Sequence, residues 1–200
     1  MIALAAAVLL AAAPTRKPDL VDVSRVVPDA ILDLRYATAD NFLGRRVYPS
    51  ARCLLLRPAA RQLARAAAAL RARGYRLRLW DCYRPVSVQR EMWRIWPDPG
   101  YVADPRRGSN HSRGAAVDLT LARAGGAEVE MPTPFDTFDA RAHADATRGV
   151  SRAARRNRSV LRTAMEEAGF LVHPQEWWHF ATRNARTLPL LDVPLDAAGR

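Results

Sequence analysis

Two short stretches of the chain concentrate residue types that bind metals and move protons. The first is SNHSRGAAVD, residues 109–118; the second is EWWH, residues 176–179. An imidazole from His111 and a carboxylate from Asp118 are natural ligands for a zinc ion, and Gly114 lets the intervening loop turn back on itself. An aspartate set between Val117 and Leu119 is costly to bury unless a cation faces it. Taken alone, this stretch fits an Asp118–arginine ion pair with a solvated His111 just as well. In the second stretch, tryptophans beside Glu176 imply a partly dehydrated carboxylate, and burial raises a carboxyl pKa toward the range useful to a general base. That stretch alone also fits a Trp-rich structural strand with an incidental His179. A third segment, WDCYRP at residues 80–85, places Arg84 before a proline, where a strand gives way to a helix. There it can point into a cleft and stabilise an oxyanion, although a surface arginine paired with Asp81 fits this segment better in isolation.

The three segments mean more together. Two histidines and one aspartate, His111, Asp118 and His179, leave the fourth tetrahedral position open for water, the pattern of a catalytic zinc rather than a structural one. Bound zinc lowers the pKa of that water to about 7, and Glu176 is placed to take its proton. The chain has only four histidines. His143 reads as a loop residue, and His173, just before a proline in an expected turn, is a weaker competitor for the metal.

These residues need a frame. Asp29–Tyr36 reads as a strand and Arg57–Arg73 as a helix, with Pro58 in its first turn, Leu63, Ala66, Ala67 and Leu70 at helical spacing, and Gly74 as its stop. Arg76–Asp81 reads as a strand, and a helix runs from Pro85 to about Trp96. Val117–Leu121 alternates, with Val117, Leu119 and Leu121 on one face and Asp118 and Thr120 on the other. Residues 124–150 read as loop. Ser151 caps a helix with an apolar stripe of Leu161, Ala164, Met165 and Ala168, ended by Gly169. Trp177–Thr182 is the last strand, and the tail from Arg186 is expected on the surface. In a regular strand Glu176 and His179 would face opposite sides, so Glu176 must stand at the strand's start or at a bend. The mixture lacks a βαβ rhythm and predicts an α+β fold, with helices packed on a small, mainly antiparallel sheet. No Gly-rich phosphate loop or G-x-S-x-G elbow is present.

At 200 residues the chain suits one domain, residues 19–200, behind an apolar run at residues 1–13. That run is too short to span a bilayer. It reads as a secretory signal cleaved near Ala12, which places the protein in the periplasm or outside the cell with no stable membrane anchor; an apolar N-terminal helix is the other reading. The formal charge is +11, and the only lysine is Lys17. Arginines are dispersed and no nucleic-acid motif accompanies them, so a basic surface is expected rather than a nucleic-acid partner. Export would allow the only two cysteines, Cys53 and Cys82, to form one disulfide; two buried thiols are the alternative.

In order along the chain, RYATADNF (35–42), LWDCYRP (79–85), HSRGAAVDLTL (111–121), PFD (134–136) and EWWH (176–179) resemble the D-alanyl-D-alanine dipeptidases of the vancomycin-resistance type. These belong to the zinc D,D-peptidases that share a fold with the hedgehog signalling domain. The resemblance spans about residues 25–185. It implies one Zn2+ held by His111, Asp118 and His179, with Glu176 as base and Arg84 steadying the scissile carbonyl. It also implies a pocket for a small D,D-dipeptide shaped by Tyr36, Ser109 and Asp136, the last two near the free ammonium. The spacer from Asp118 to Asp136 is shorter than in that family. The export signal sets the chain apart from cytoplasmic resistance enzymes and suits periplasmic relatives that salvage cell-wall D-Ala-D-Ala. Within the same zinc group, a D,D-carboxypeptidase or L,D-endopeptidase is the nearest alternative, and a non-catalytic zinc module that binds wall fragments is another. Oligomeric state is left open.

Overall fold

A computed structural model describes residues 17–197; the expected signal at residues 1–13 lies outside them. Ten regular elements follow in order: β1 (Leu20–Asp22), β2 (Ile31–Leu32), β3 (Leu54–Leu56), α1 (Arg57–Arg71), β4 (Tyr75–Asp81), α2 (Val86–Ile95), β5 (Ala116–Arg123), α3 (Arg152–Glu167), β6 (Phe170–His173) and β7 (Glu176–Thr182). Strands β1 and β3 form an antiparallel ribbon. The main sheet has the order β2-β4-β5-β7-β6, parallel only between β2 and β4. This is the α+β arrangement expected from the sequence.

The helices form where local chemistry permits. Pro58 occupies the first turn of α1, where its missing N–H costs nothing. Ser151 caps α3 by accepting the Ala154 N–H at 3.0 Å. Both helices bury their apolar stripe on one face of the main sheet: Leu63 and Leu70 of α1 and Leu161 and Met165 of α3 share a core with Leu77, Leu79, Leu119, Leu121 and Phe170. The alternation in β5 therefore sends Asp118 and Thr120 to the opposite face, which no long helix of this core covers. A second core, around Tyr36, Tyr48, Tyr83, Met92 and Leu195, closes the end of the sheet near the site.

Several expectations are corrected. The strand expected over Asp29–Tyr36 pairs only at Ile31–Leu32; the chain then curls into a 3-10 turn at Arg35–Ala37 that turns Tyr36 inward. The ribbon β1–β3 was not anticipated, because three-residue apolar runs carry no readable period. As expected, Pro174 lies in a turn, Pro174–Gln175, with His173 the last residue of β6. The tail does not lie on the surface throughout. Leu191 N–H donates to the Ser112 carbonyl at 2.8 Å, the Tyr83 hydroxyl donates to the Val193 carbonyl at 3.0 Å, and Leu195 is fully buried. Two alternating anchors at Leu191 and Val193 and a buried Leu195 make the tail a lid on the second core. Among the described residues no helix is long and apolar enough to cross a membrane.

Candidate active site

Three buried side chains meet on the open face of the sheet. Asp118 lies in β5 and His179 directly opposite it in β7, while His111 opens a single 3-10 turn just before β5. The chain returns from that turn through Gly114, whose φ is +61°. A Cβ there would stand 3.3 Å from the Leu56 backbone nitrogen and 3.0 Å from Leu20 Cδ2, so the close approach to the β1–β3 ribbon requires glycine. His111 Nε2 lies 3.1 Å from His179 Nδ1 and 3.3 Å from Asp118 Oδ1, and His179 Nδ1 lies 2.9 Å from Asp118 Oδ1. A tetrahedral ion with bonds near 2.0–2.1 Å separates its ligand atoms by about 3.3–3.4 Å. The three atoms are thus spaced as ligands are, and two ring nitrogens with one carboxylate oxygen are a donor set that suits zinc. Burial would raise the Asp118 carboxyl, but the imidazoles of His111 and His179 outweigh it and hold that group well below the usual carboxylate range.

The ring of His111 is oriented from behind. Its Nδ1 sits 2.7 Å from the Cys82 carbonyl and donates to it, which leaves Nε2 as the lone-pair donor toward the cluster. Ser109 Oγ accepts the His111 backbone N–H at 3.2 Å and so holds the same turn.

Glu176 begins β7, and the parity conflict is resolved there. Pairing between β6 and β7 shifts register between Val172 and His173, so that His173 faces Glu176 instead of His179. This irregularity swings the carboxylate to the His179 side, with Oε2 3.8 Å from His179 Nδ1. Burial first, and the Asp118 charge second, raise the Glu176 carboxyl above its ordinary range, against the pull of His179. Trp177 and Trp178 are buried beside it, the Trp177 indole donating to Thr133 Oγ1 at 2.9 Å.

Arg84 is not at the surface. It is buried and paired with Asp81 at 2.5 Å, donates to Gln89 Oε1 at 2.8 Å, and lies 5.1 Å above the Tyr36 ring. Asp81 reaches this position because β4 carries an irregularity between Leu79 and Asp81, which brings Asp81 opposite Asp118. Tyr36 donates to both Asp136 oxygens, at 3.1 and 3.3 Å. Asp136 has a φ of +55°, the only non-glycine in the left-handed region among the described residues, and burial raises its carboxyl well above the ordinary range. His173 stands beside the cluster rather than in it, with Nδ1 3.9 Å from Glu176 Oε2 and its ring 5.5 Å from that of His179. His143 contributes its backbone carbonyl to Arg158. Cys53 and Cys82 are joined by a disulfide.

Sequence reasoning missed the supporting roles of Tyr48, Gln89 and the Cys82 carbonyl; it paired Arg84 with Asp81, but at the surface rather than buried. Tyr48, whose hydroxyl donates to Asp81 Oδ1 at 2.5 Å across 33 positions, left no local signal.

A sheet that presents two histidines and an aspartate around one point, with a dehydrated glutamate alongside, defines the class of metal-dependent peptidases. The D-Ala-D-Ala dipeptidase family matches residues 16–194, and the chain belongs to that family. It is 42% identical over 173 residues to the D-alanyl-D-alanine dipeptidase of Escherichia coli (strain K12), covering 86% of this chain and 89% of the relative. Identity to the enzyme of the same name from Enterococcus faecium is 36% (76% and 85% covered), and to that from Enterococcus faecalis 37% (74% and 83%).

Proposed function

We propose that the protein hydrolyses D-Ala-D-Ala to two molecules of D-alanine, with Zn2+ held by His111, Asp118 and His179. The observation that carries this reading is the triangle of ligand atoms with Glu176 Oε2 at 3.8 Å from one of them. Bound zinc would supply Lewis acidity and a water that deprotonates near neutral pH. Glu176, its affinity for protons raised by burial, accepts the proton of the attacking water and returns it to the leaving amine. Arg84, held from behind by Asp81 and Gln89, keeps N–H groups free to steady the carbonyl oxygen as it gains charge. Asp136 and Tyr36, joined by hydrogen bonds, shape the pocket and receive the substrate's ammonium, while Ser109 acts through the His111 turn that its hydroxyl holds. A free amino end is what distinguishes a dipeptide from a longer chain, so this pair would set specificity.

The protein works in the periplasm or outside the cell, with residues 1–13 as its signal and a role in cell-wall turnover. A disulfide between its only cysteines supports an oxidising compartment. A charge of +11 suits work beside an anionic wall.

A second reading, a carboxypeptidase acting on longer wall peptides, draws on a cavity of about 590 Å³ whose lining includes Asp136, Phe135, Trp80, Arg78 and Thr120. The test is D-alanine release by purified protein from free D-Ala-D-Ala and from an N-acylated peptide ending in D-Ala-D-Ala, before and after chelation and zinc restoration. Zinc-dependent turnover of the free dipeptide alone is expected. Turnover of only the acylated peptide establishes the second reading, and turnover that survives complete metal removal refutes both.

A further inference from the structure

The segment Asp81–Arg84 serves the site three times. Its first residue holds Arg84 through the carboxylate. Its second offers the carbonyl that takes the His111 Nδ1 proton. Its last donates a backbone N–H to the His111 carbonyl at 3.2 Å. Yet this segment lies just where β4 leaves its regular ladder with β5, after the register shift past Leu79. Besides the Tyr48–Asp81 and Tyr83–Val193 hydrogen bonds, its hold on the rest of the fold comes from the other side. Tyr83 N–H donates to the Leu54 carbonyl at 2.9 Å, and the disulfide ties Cys82 to Cys53, whose own carbonyl accepts the Val23 N–H at 2.9 Å. Both cysteines are fully buried, so the crosslink anchors Cys82 to the β1–β3 ribbon inside the protein.

We propose that the Cys53–Cys82 disulfide is a positioning element of the metal site. By pinning Cys82 it fixes the carbonyl that orients the His111 ring, and it thereby tightens metal binding. This rests on the reading of His111, Asp118 and His179 as the ligands. The partner of a ligating imidazole's second nitrogen sets the ring's direction and basicity, and loss of such partners typically weakens metal affinity by about 10- to 100-fold. A loosened Cys82 would weaken that partner without deleting it.

The test measures Zn2+ affinity by competition with a chromophoric chelator, and the visible spectrum of Co2+-loaded protein, in two variants. Cys53→Ala keeps Cys82 and its carbonyl; the double variant Cys53→Ala/Cys82→Ala removes the freed thiol as a stray ligand. Both are expected to bind Zn2+ about tenfold or more weakly and to shift the Co2+ spectrum. Met165→Ala, a cavity in the core under α3, serves as the control for lost stability and should bind as the wild type does. Wild-type affinity in folded cysteine variants overturns the inference, as does an equal loss in Met165→Ala.

If the alanine variants do not fold, the wild type, reduced under conditions where circular dichroism shows it still folded, decides the matter, because coupling is reciprocal. Bound Zn2+ must make the disulfide harder to reduce by the same factor, about 30 mV more negative for a tenfold effect. The potential is read in glutathione redox buffers with free zinc held fixed, and an unchanged potential overturns the inference. A wild-type protein that takes up no Zn2+ overturns the ligand assignment and the inference together, whereas tight binding indifferent to the disulfide overturns the inference alone.

Discussion

Replacing Asp81 by Asn tests how the site holds its arginine. The Asp81 side chain is wholly buried and that of Arg84 only 9% exposed. Asp81 Oδ2 takes both Nε and an Nη of Arg84, at 3.2 and 2.5 Å. Its Oδ1 takes the Tyr48 hydroxyl and the Cys82 N–H. An asparagine of the same shape keeps its oxygen where those two donors need it, and so turns its NH2 toward the guanidinium. Donor then meets donor, and a buried cation loses its counter-charge. Breaking a buried pair from one side costs about 3–5 kcal/mol. For a chain of this length, at about 2–4 °C per kcal/mol, the melting temperature should fall by roughly 6–20 °C. The loss is measured by urea denaturation followed by circular dichroism, with wild type and variant both metal-loaded. Adding Arg84→Met removes the stranded charge, and since exchanging both partners of a buried pair is close to neutral, much of the stability should return. Turnover should not return if Arg84 steadies the carbonyl as proposed. A stability loss below about 1 kcal/mol for Asp81→Asn, or losses that simply add in the double variant, would refute the reasoning, since coupled neighbours must show a substantial interaction energy.

Glu176→Gln should keep its metal and lower kcat by about 10²- to 10⁴-fold; normal turnover would assign the base elsewhere. His111→Ala should fail to retain zinc through gel filtration, and full occupancy by metal analysis would break the ligand set. Asp136→Asn should raise KM for the free dipeptide with little change in kcat, and an unchanged KM would show that the amine is read by another group. The His173 imidazole is pushed down to about 4, by burial first and by His179 second. A histidine whose folded pKa is depressed contributes stability that is present above its unfolded value near 6.5 and lost as pH falls toward 4. His173→Gln should therefore flatten the stability–pH profile between those limits, modestly because the side chain is 39% exposed, and an identical slope would contradict it.

Much of the site was legible in residue type and local pattern. His111, Asp118, Glu176 and His179 stand out because few side chains ligate metals or carry protons, and because the alternation around Asp118 already demanded a cation on one face of β5. The helices were legible for similar reasons: Pro58, Ser151, Gly74 and Gly169 are local signals, and the apolar stripes of α1 and α3 follow a short period. Elements without such signals escaped, including the three-residue ribbon strands and the tail, where isolated residues such as Leu195 show no periodicity to mark their burial.

What tertiary structure alone decided was how incompatible local geometries were brought into register. Glu176 and His179 have opposite parity in a strand, and only the irregular β6–β7 pairing brings them to one side. Asp81 faces the site only because β4 slips against β5. Tyr48, the Cys82 carbonyl and Gln89 come from segments whose proximity is set by the second core and the disulfide, and a backbone carbonyl has no residue type to betray it. The sequence by itself determined which groups could do the chemistry, since that is a property of single side chains. Their distances, orientations and proton affinities were decided by the fold, since those depend on burial and on partners brought together from distant parts of the chain.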